Sequence, residues 1–210
     1  MWKNISKFKY FLHLSLGIIF LSLVRSVNTV YLPLLESREG FDVYDPFLRF
    51  LPAVDLSGII FILTYGSIVL GFFFLSFQPK LLLKAVFAYG VMYLIRFICI
   101  LLIPLNSPEN HIVLYDPFIE SMLCAQPLTK DLFYSGHFAS IFLLFILLKK
   151  EIFLFLSIFV GFLLLVQHIH YVYDFLGAVF FSYLSVKIAQ TYLSYTWEFT
   201  QAEPYQKSAS

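Results

Sequence analysis

Two short clusters hold the residue types that phosphoryl chemistry uses. Asp131-Leu132-Phe133-Tyr134-Ser135-Gly136-His137 forms the first, and His170-Tyr171-Val172-Tyr173-Asp174 the second. His170 and Asp174 are spaced i,i+4, so on a helix they share a face. The carboxylate then takes one imidazole nitrogen while the other points away. An oriented imidazole with a second histidine nearby suits phosphoryl transfer through a covalent intermediate, which needs one nucleophile and one general acid for the leaving oxygen. A buried arginine, or a lysine such as Lys130, would balance the phosphate charge. Three other readings use the same residues. His137, His168, His170 and Asp174 are plausible ligands for a transition metal. Intramembrane ionisable groups also build proton relays in transporters. Single histidines are most often plain interfacial polar residues.

The elements that position these clusters are apolar. Of 210 residues, 60% are hydrophobic and 13% charged, about half the charged fraction of a soluble domain. Runs near the ~20-residue length needed to cross a bilayer recur at 10–31, 57–77, 81–104, 136–149, 151–169 and 172–194. They predict an all-α integral membrane protein, a six-transmembrane-helix bundle within one domain at 1–197, followed by a polar tail at 198–210. The fourth run is short for a span unless the Ser-Gly-His segment continues its helix outward. Net charge is +1, and nothing points to a nucleic-acid partner. Cys99 and Cys124 make no disulfide framework. The first run follows Lys3, Lys7 and Lys9 like a signal peptide, but no small-x-small cleavage site follows Val24, so it reads as a retained span.

Six spans put both termini on one side, with Lys3, Lys7, Lys9, Lys80, Lys84, Lys149, Lys150, Lys187 and Lys207. The opposite loops hold Arg38, Arg49 and Lys130. The positive-inside rule then makes both termini cytoplasmic and turns the loops near 32–56, 105–135 and 170 to the extracytoplasmic side, periplasm or lumen. Both histidine clusters fall on that side. So does Arg96: sixteen residues from Lys80 at ~1.5 Å each put it roughly 24 Å across. A buried arginine at that depth marks a functional site or snorkels to the headgroups; for Arg25 near the end of the first span, snorkelling is the favoured reading. Tyr44-Asp45-Pro46-Phe47-Leu48 and Tyr115-Asp116-Pro117-Phe118-Ile119 each place Pro after an Asp N-cap, predicting short interfacial helices in the outer loops. Pro52 and Asp55 suit the start of the second span, in which Gly66 and Gly71 permit close helix packing.

Ser135-Gly136-His137, with the later His170 and its acid four residues on, resembles the type 2 phosphatidic acid phosphatase superfamily. The closer likeness is to its sphingomyelin synthase branch, whose motifs of Asp, three residues, then Ser-Gly-His, and of His-Tyr-x-x-Asp match Asp131 to His137 and His170, Tyr171 and Asp174. The superfamily's phosphatases carry a proline before Ser-Gly-His, an arginine six residues before the second histidine and an upstream basic-proline motif. Here Tyr134 and Leu164 occupy the first two places and the third has no match, which fits a phosphodiester donor better than a monoester. Thr129-Lys130 stands where the synthases have Cys-Gly, and the 33-residue interval between the histidines is short for the branch.

The resemblance implies a membrane lipid phosphotransferase, sphingomyelin synthase-like or ceramide phosphoethanolamine synthase-like, that works without cofactor or metal. His170, oriented by Asp174, would attack the phosphorus of a glycerophospholipid donor. His137 would protonate the diacylglycerol oxygen and later deprotonate the hydroxyl of a ceramide or diacylglycerol-like acceptor. Arg96 would contact phosphate, with Lys130 a weaker partner. Asp131 would position the turn formed by Ser135 and Gly136 or a cationic headgroup, and Tyr171 completes the substrate side. A lipid phosphatase or phospholipase C-like hydrolase would use the same residues with water as acceptor. A non-catalytic lipid transporter or scaffold is the reading from another class. A homo-oligomer is left open.

Overall fold

The computed structural model describes residues 7–114 and 129–197, and the regular structure within them is helical. The helices are α1 (Lys7–Glu36), α2 (Ser57–Ser76), α3 (Pro79–Leu102), α4 (Gly136–Leu148), α5 (Glu151–Val166) and α6 (Val172–Trp197). Four of them, α1, α2, α3 and α6, are long and apolar enough to cross a membrane; α4 and α5 are shorter apolar helices. At ~1.5 Å per residue, the 13 residues of α4 reach about 20 Å, less than a hydrocarbon core of ~30 Å.

Sequence chemistry explains where the helices stop and start. Pro79 opens α3 at the position where a missing N–H costs nothing. Lys149 closes α4 in the left-handed conformation, with its N–H on the Phe145 carbonyl, and Glu151 then sits in the first turn of α5, where the helix dipole favours a carboxylate. Two residues therefore reverse the chain between α4 and α5. Ser135 caps α4 by accepting from the Phe138 N–H, so the helix begins at Gly136. Of the Ser-Gly-His segment, His137 and Gly136 continue the helix outward and Ser135 does not, because its hydroxyl caps the helix in place of a backbone acceptor.

Helix α4 sits at the centre. Residues 138–144, Ile146 and Leu147 are buried, and the helix packs against α2, α3, α5 and α6. A helix that is apolar all round suits only such a place. Gly71 lets α2 approach it, since a Cβ there would fall 2.6 Å from the Leu144 side chain; Gly66, offered alongside it, faces open space. Helix α1 packs chiefly on α3. Some polar residues inside the bundle turn onto their own backbone, as Ser67 does to the Leu63 carbonyl and Ser185 to that of Phe181. The outer faces carry Ile19, Leu23, Ile62, Phe155, Ile158 and Phe180, all exposed. Apolar surface on that scale belongs against lipid.

Further boundaries differ from expectation. Helix α1 runs to Glu36 through Pro33, and α5 ends at Val166, three residues short of the end of the run at 151–169. After Asp45 comes only a single 3-10 turn, Leu48–Phe50, where a short interfacial helix was expected. The second such segment, 115–119, lies outside the described residues, as do Cys124 and the tail at 198–210.

Candidate active site

The ends of α4 and α6 that carry the two histidine clusters lie at one end of the bundle, opposite the Lys149-Lys150 turn. At α6 the chain makes a tight turn before the helix. Asp174, in the first helical turn, accepts from the Tyr171 backbone N–H at 3.0 Å and, through the same Oδ2, faces His170 Nδ1 at 2.9 Å. The first contact is half of a capping box, with the acid three residues into the helix reaching back to the N–H of its cap. His170 therefore precedes the helix, and the pair closes through this cap rather than across a helical face. A carboxylate can only accept, so in a neutral ring this contact places the proton on Nδ1 and leaves the lone pair on Nε2. Both side chains are buried, His170 at 2% exposure and Asp174 at 0%.

His137 occupies the second residue of α4, half-buried, with its ring 6.0 Å from that of Phe61 on α2. The clusters meet through their neighbours: Phe138 packs at 5.2 Å against Phe175, whose ring lies 6.1 Å from the His170 imidazole. Two helix N-termini thus converge; that of α6 already holds the carboxylates of Asp174 and Asp45 on its first N–H groups, and that of α4 has the Phe138 N–H on Ser135 Oγ.

Arg96 braces the loop that leads into α4. Its Nε donates to the Tyr134 carbonyl at 2.7 Å, Nη2 donates to the Asp131 carbonyl at 3.1 Å, and Nη1 lies 2.9 Å from Asp131 Oδ1. Gly136 lies against this guanidinium: a Cβ there would come within 3.2 Å of Arg96 Nε. The Tyr134 hydroxyl donates to the Met92 carbonyl one turn below on α3. The Ser-Gly-His turn is thereby fastened to α3, and Asp131 holds the guanidinium on its far side.

The other expected residues fall elsewhere. The Lys130 ammonium donates to the Arg38 carbonyl, and its backbone N–H donates to Glu36 Oε2 at 3.0 Å, so it latches the loop to the end of α1. Tyr171 donates its hydroxyl to the Asn106 carbonyl at 3.0 Å. Burial, helped by the charges of Asp174, Asp42 and Asp45, pushes that phenol up to about 12 and keeps it a donor. His168 turns away from His170: Nδ1 is 2.8 Å from the Glu109 carbonyl and Nε2 is 3.2 Å from that of Leu51. Both ring nitrogens face the loops, and among the described residues no three histidine, cysteine or acidic side chains group as metal donors. Arg25 stacks over the Tyr93 ring at 4.8 Å.

Two positioning residues emerge that the sequence did not single out as such. Asp45, read as a helix cap for its own loop, accepts from Phe47 N–H at 3.0 Å and from Val172 N–H at 2.7 Å, fixing the start of α6 two residues after His170. The signal for the first bond is ordinary Asx-turn chemistry; the second spans 127 residues and leaves none. Gln167, fully buried, accepts from Leu56 N–H and donates to Ser57 Oγ, joining the start of α2 to the end of α5. Replacing Asp45 with alanine strands two N–H groups, one of them beside the His170 turn. The expected cost is roughly 1–3 kcal/mol, read as a lower melting temperature in detergent, with transfer activity falling further than stability alone explains. Asp45→Asn keeps one acceptor oxygen but turns an NH₂ toward the other N–H, so it should recover only part of both.

Beside this turn lies a cavity of about 450 Å³, lined by Asp42, Tyr44, Asp45, Arg49, Glu109, His168 and Tyr171 among others. Neither His137 nor His170 lines it. No family model, curated protein or solved structure matches the chain. The functional reading therefore rests on the chain's own residues.

Proposed function

We propose that the chain is a lipid phosphotransferase of the phosphatidic acid phosphatase type, nearest its sphingomyelin synthase branch. In this reading all six helices lie within the membrane, both termini are cytoplasmic and the site faces the extracytoplasmic side. The observation that carries it is the buried His170–Asp174 pair at 2.9 Å, which frees one imidazole nitrogen at the start of α6 beside the His137 turn.

His170 Nε2 attacks the phosphorus of a glycerophospholipid. A P–N bond forms as the P–O bond to diacylglycerol breaks, and His137, protonated beforehand, gives its proton to the departing oxygen. Asp174 stabilises the positive imidazole ring during the attack. The headgroup phosphate is left on His170. His137, now neutral, takes the proton of an acceptor hydroxyl, whose oxygen attacks phosphorus and expels His170. A lipid alcohol as acceptor makes a transferase, and water makes a hydrolase. The developing negative charge meets the N-terminal end of α4 and the imidazolium rings.

Incubation in mixed micelles with a phosphorus-labelled phospholipid and a ceramide or diacylglycerol acceptor tests the proposal. Label in a new lipid, undiminished by a strong chelator, is expected. Label in water-soluble phosphate or phosphoalcohol would make the chain a hydrolase. Loss on chelation with rescue by a divalent ion would favour a metal mechanism, and no movement from any donor would favour a transporter or scaffold.

A further inference from the structure

The first outer loop, residues 41–54, presents aromatic rings to the outside, with Asp42 and Arg49 exposed beside them, while Asp45 and much of the loop's backbone are tied down beneath. Phe41, Tyr44, Phe47 and Phe50 are 69%, 66%, 63% and 87% exposed. Underneath, the backbone of Phe41 pairs with Pro104 and Asn106, Asp45 holds Val172, the Leu51 carbonyl faces His168, and Val54 N–H donates to the Val166 carbonyl. Leu48 is buried. A segment fixed this way on its polar side cannot roll its rings inward, so their exposure belongs to the fold.

The patch continues the apolar belt of the bundle at both ends. Phe41 bridges to Leu105, just past the exposed Leu102 and Ile103 at the end of α3. At the other end, Val54 is exposed and the chain runs straight into α2, with Ile59 and Ile62 exposed on its surface. Arg49 lies over the Tyr44 ring at 5.0 Å. Aromatic rings with an arginine at the rim of an apolar belt are the composition of a membrane–water interface, where the ring bodies enter the acyl boundary and the charge stays among headgroups.

We propose that residues 41–54 form a lip seated in the leaflet on this side of the membrane, with the rings among headgroups and upper acyl chains. The 450 Å³ cavity then opens beneath a membrane-embedded rim, at headgroup level, rather than into bulk water. This inference rests on the apolar belt and the loop's anchoring, and it holds whether or not the histidines are catalytic.

Site-directed nitroxide labelling of the full chain in phospholipid vesicles tests it. In a background with Cys99→Ala and Cys124→Ser, single cysteines replace Phe47, Phe50 and, as a water-facing control, Glu39. Molecular oxygen, which concentrates in lipid, should relax the labels at positions 47 and 50 more than a water-soluble nickel chelate does, with the order reversed at 39. Nickel dominating at 47 and 50 overturns the proposal. So does spin–spin broadening that dilution with unlabelled protein removes, since a second copy would then cover the patch. Should removal of Cys99 disturb the bundle, Phe50→Trp in a chain with Trp2→Phe and Trp197→Phe gives an independent reading: bromolipids should quench it and aqueous iodide should not, and the opposite pattern overturns the lip.

Discussion

Replacing His170 with alanine should abolish transfer, with a fall on the order of 10³-fold or more in turnover, while helical content and melting temperature stay close to the parent's. The expected split follows from what the imidazole touches. Its one polar contact to a described residue is Asp174 Oδ2, and that oxygen keeps the Tyr171 N–H when the ring is gone. The cap of α6 therefore survives, and Asp45 continues to hold Val172. Asp174→Asn is the sharper companion. An amide can turn its NH₂ toward Nδ1, which moves the ring proton to Nε2 and removes the lone pair needed for attack. Activity should fall by ~10²–10⁴-fold, and because the same oxygen also holds the Tyr171 N–H, the cap bond is lost with it, at a cost of roughly 1–2 kcal/mol. Phosphorus label trapped on the parent chain after brief exposure to donor, and absent from the His170→Ala variant, would place the intermediate. Residual transfer above about a tenth of the parent rate in the alanine variant sinks the nucleophile assignment, because general-base assistance alone does not survive loss of the base so lightly.

The parts of this arrangement that were legible in the sequence are those set by neighbouring residues. Apolar runs announced the helices, and the Lys149-Lys150-Glu151 break announced a reversal that returns Ser135 and His170 to one end. Capping chemistry was less transparent. Asp174 was recognisable as a partner for His170, yet the helical face inferred from i,i+4 spacing is in fact a capping turn, with the histidine outside the helix. What sequence could not show is which distant group consumes a side chain's bonding capacity. Lys130 is spent on the Arg38 carbonyl, both nitrogens of His168 face loop carbonyls, and Asp45 serves α6 instead of a helix of its own. Each such contact joins residues 59 to 127 positions apart in the chain, and chain neighbours carry no trace of it. The shortness of α4 has the same origin. Its burial within four other helices lets a 13-residue apolar segment satisfy itself against protein.

Loss of Arg96 should be the most damaging single change to the fold of the site, and the way it fails separates two roles for the guanidinium. The sequence pointed to phosphate; the geometry ties the side chain to the Tyr134 and Asp131 carbonyls and to the Asp131 carboxylate. Arg96→Met removes a buried donor set and leaves Asp131 facing an apolar helix end, at a cost of roughly 3–5 kcal/mol. Arg96→Lys keeps the charge but not the planar fork, so it cannot span two carbonyls and a carboxylate together and should recover only part. The deciding variant is the double change Arg96→Met with Asp131→Leu, which removes the stranded charge along with its partner. Stability should return part of the way toward the parent, since the Tyr134 and Asp131 carbonyls still lack their donor, giving a coupling energy between the two sites in a double-mutant cycle of thermal or denaturant melts. If bracing is the whole role, turnover measured well below the melting temperature should recover alongside stability. If the guanidinium also meets the phosphate, stability returns while turnover stays low and the Michaelis constant for the donor stays high, because no apolar side chain replaces that charge. Additive destabilisation, with no coupling between positions 96 and 131, would show that the ion pair does not hold the Ser135-Gly136-His137 turn.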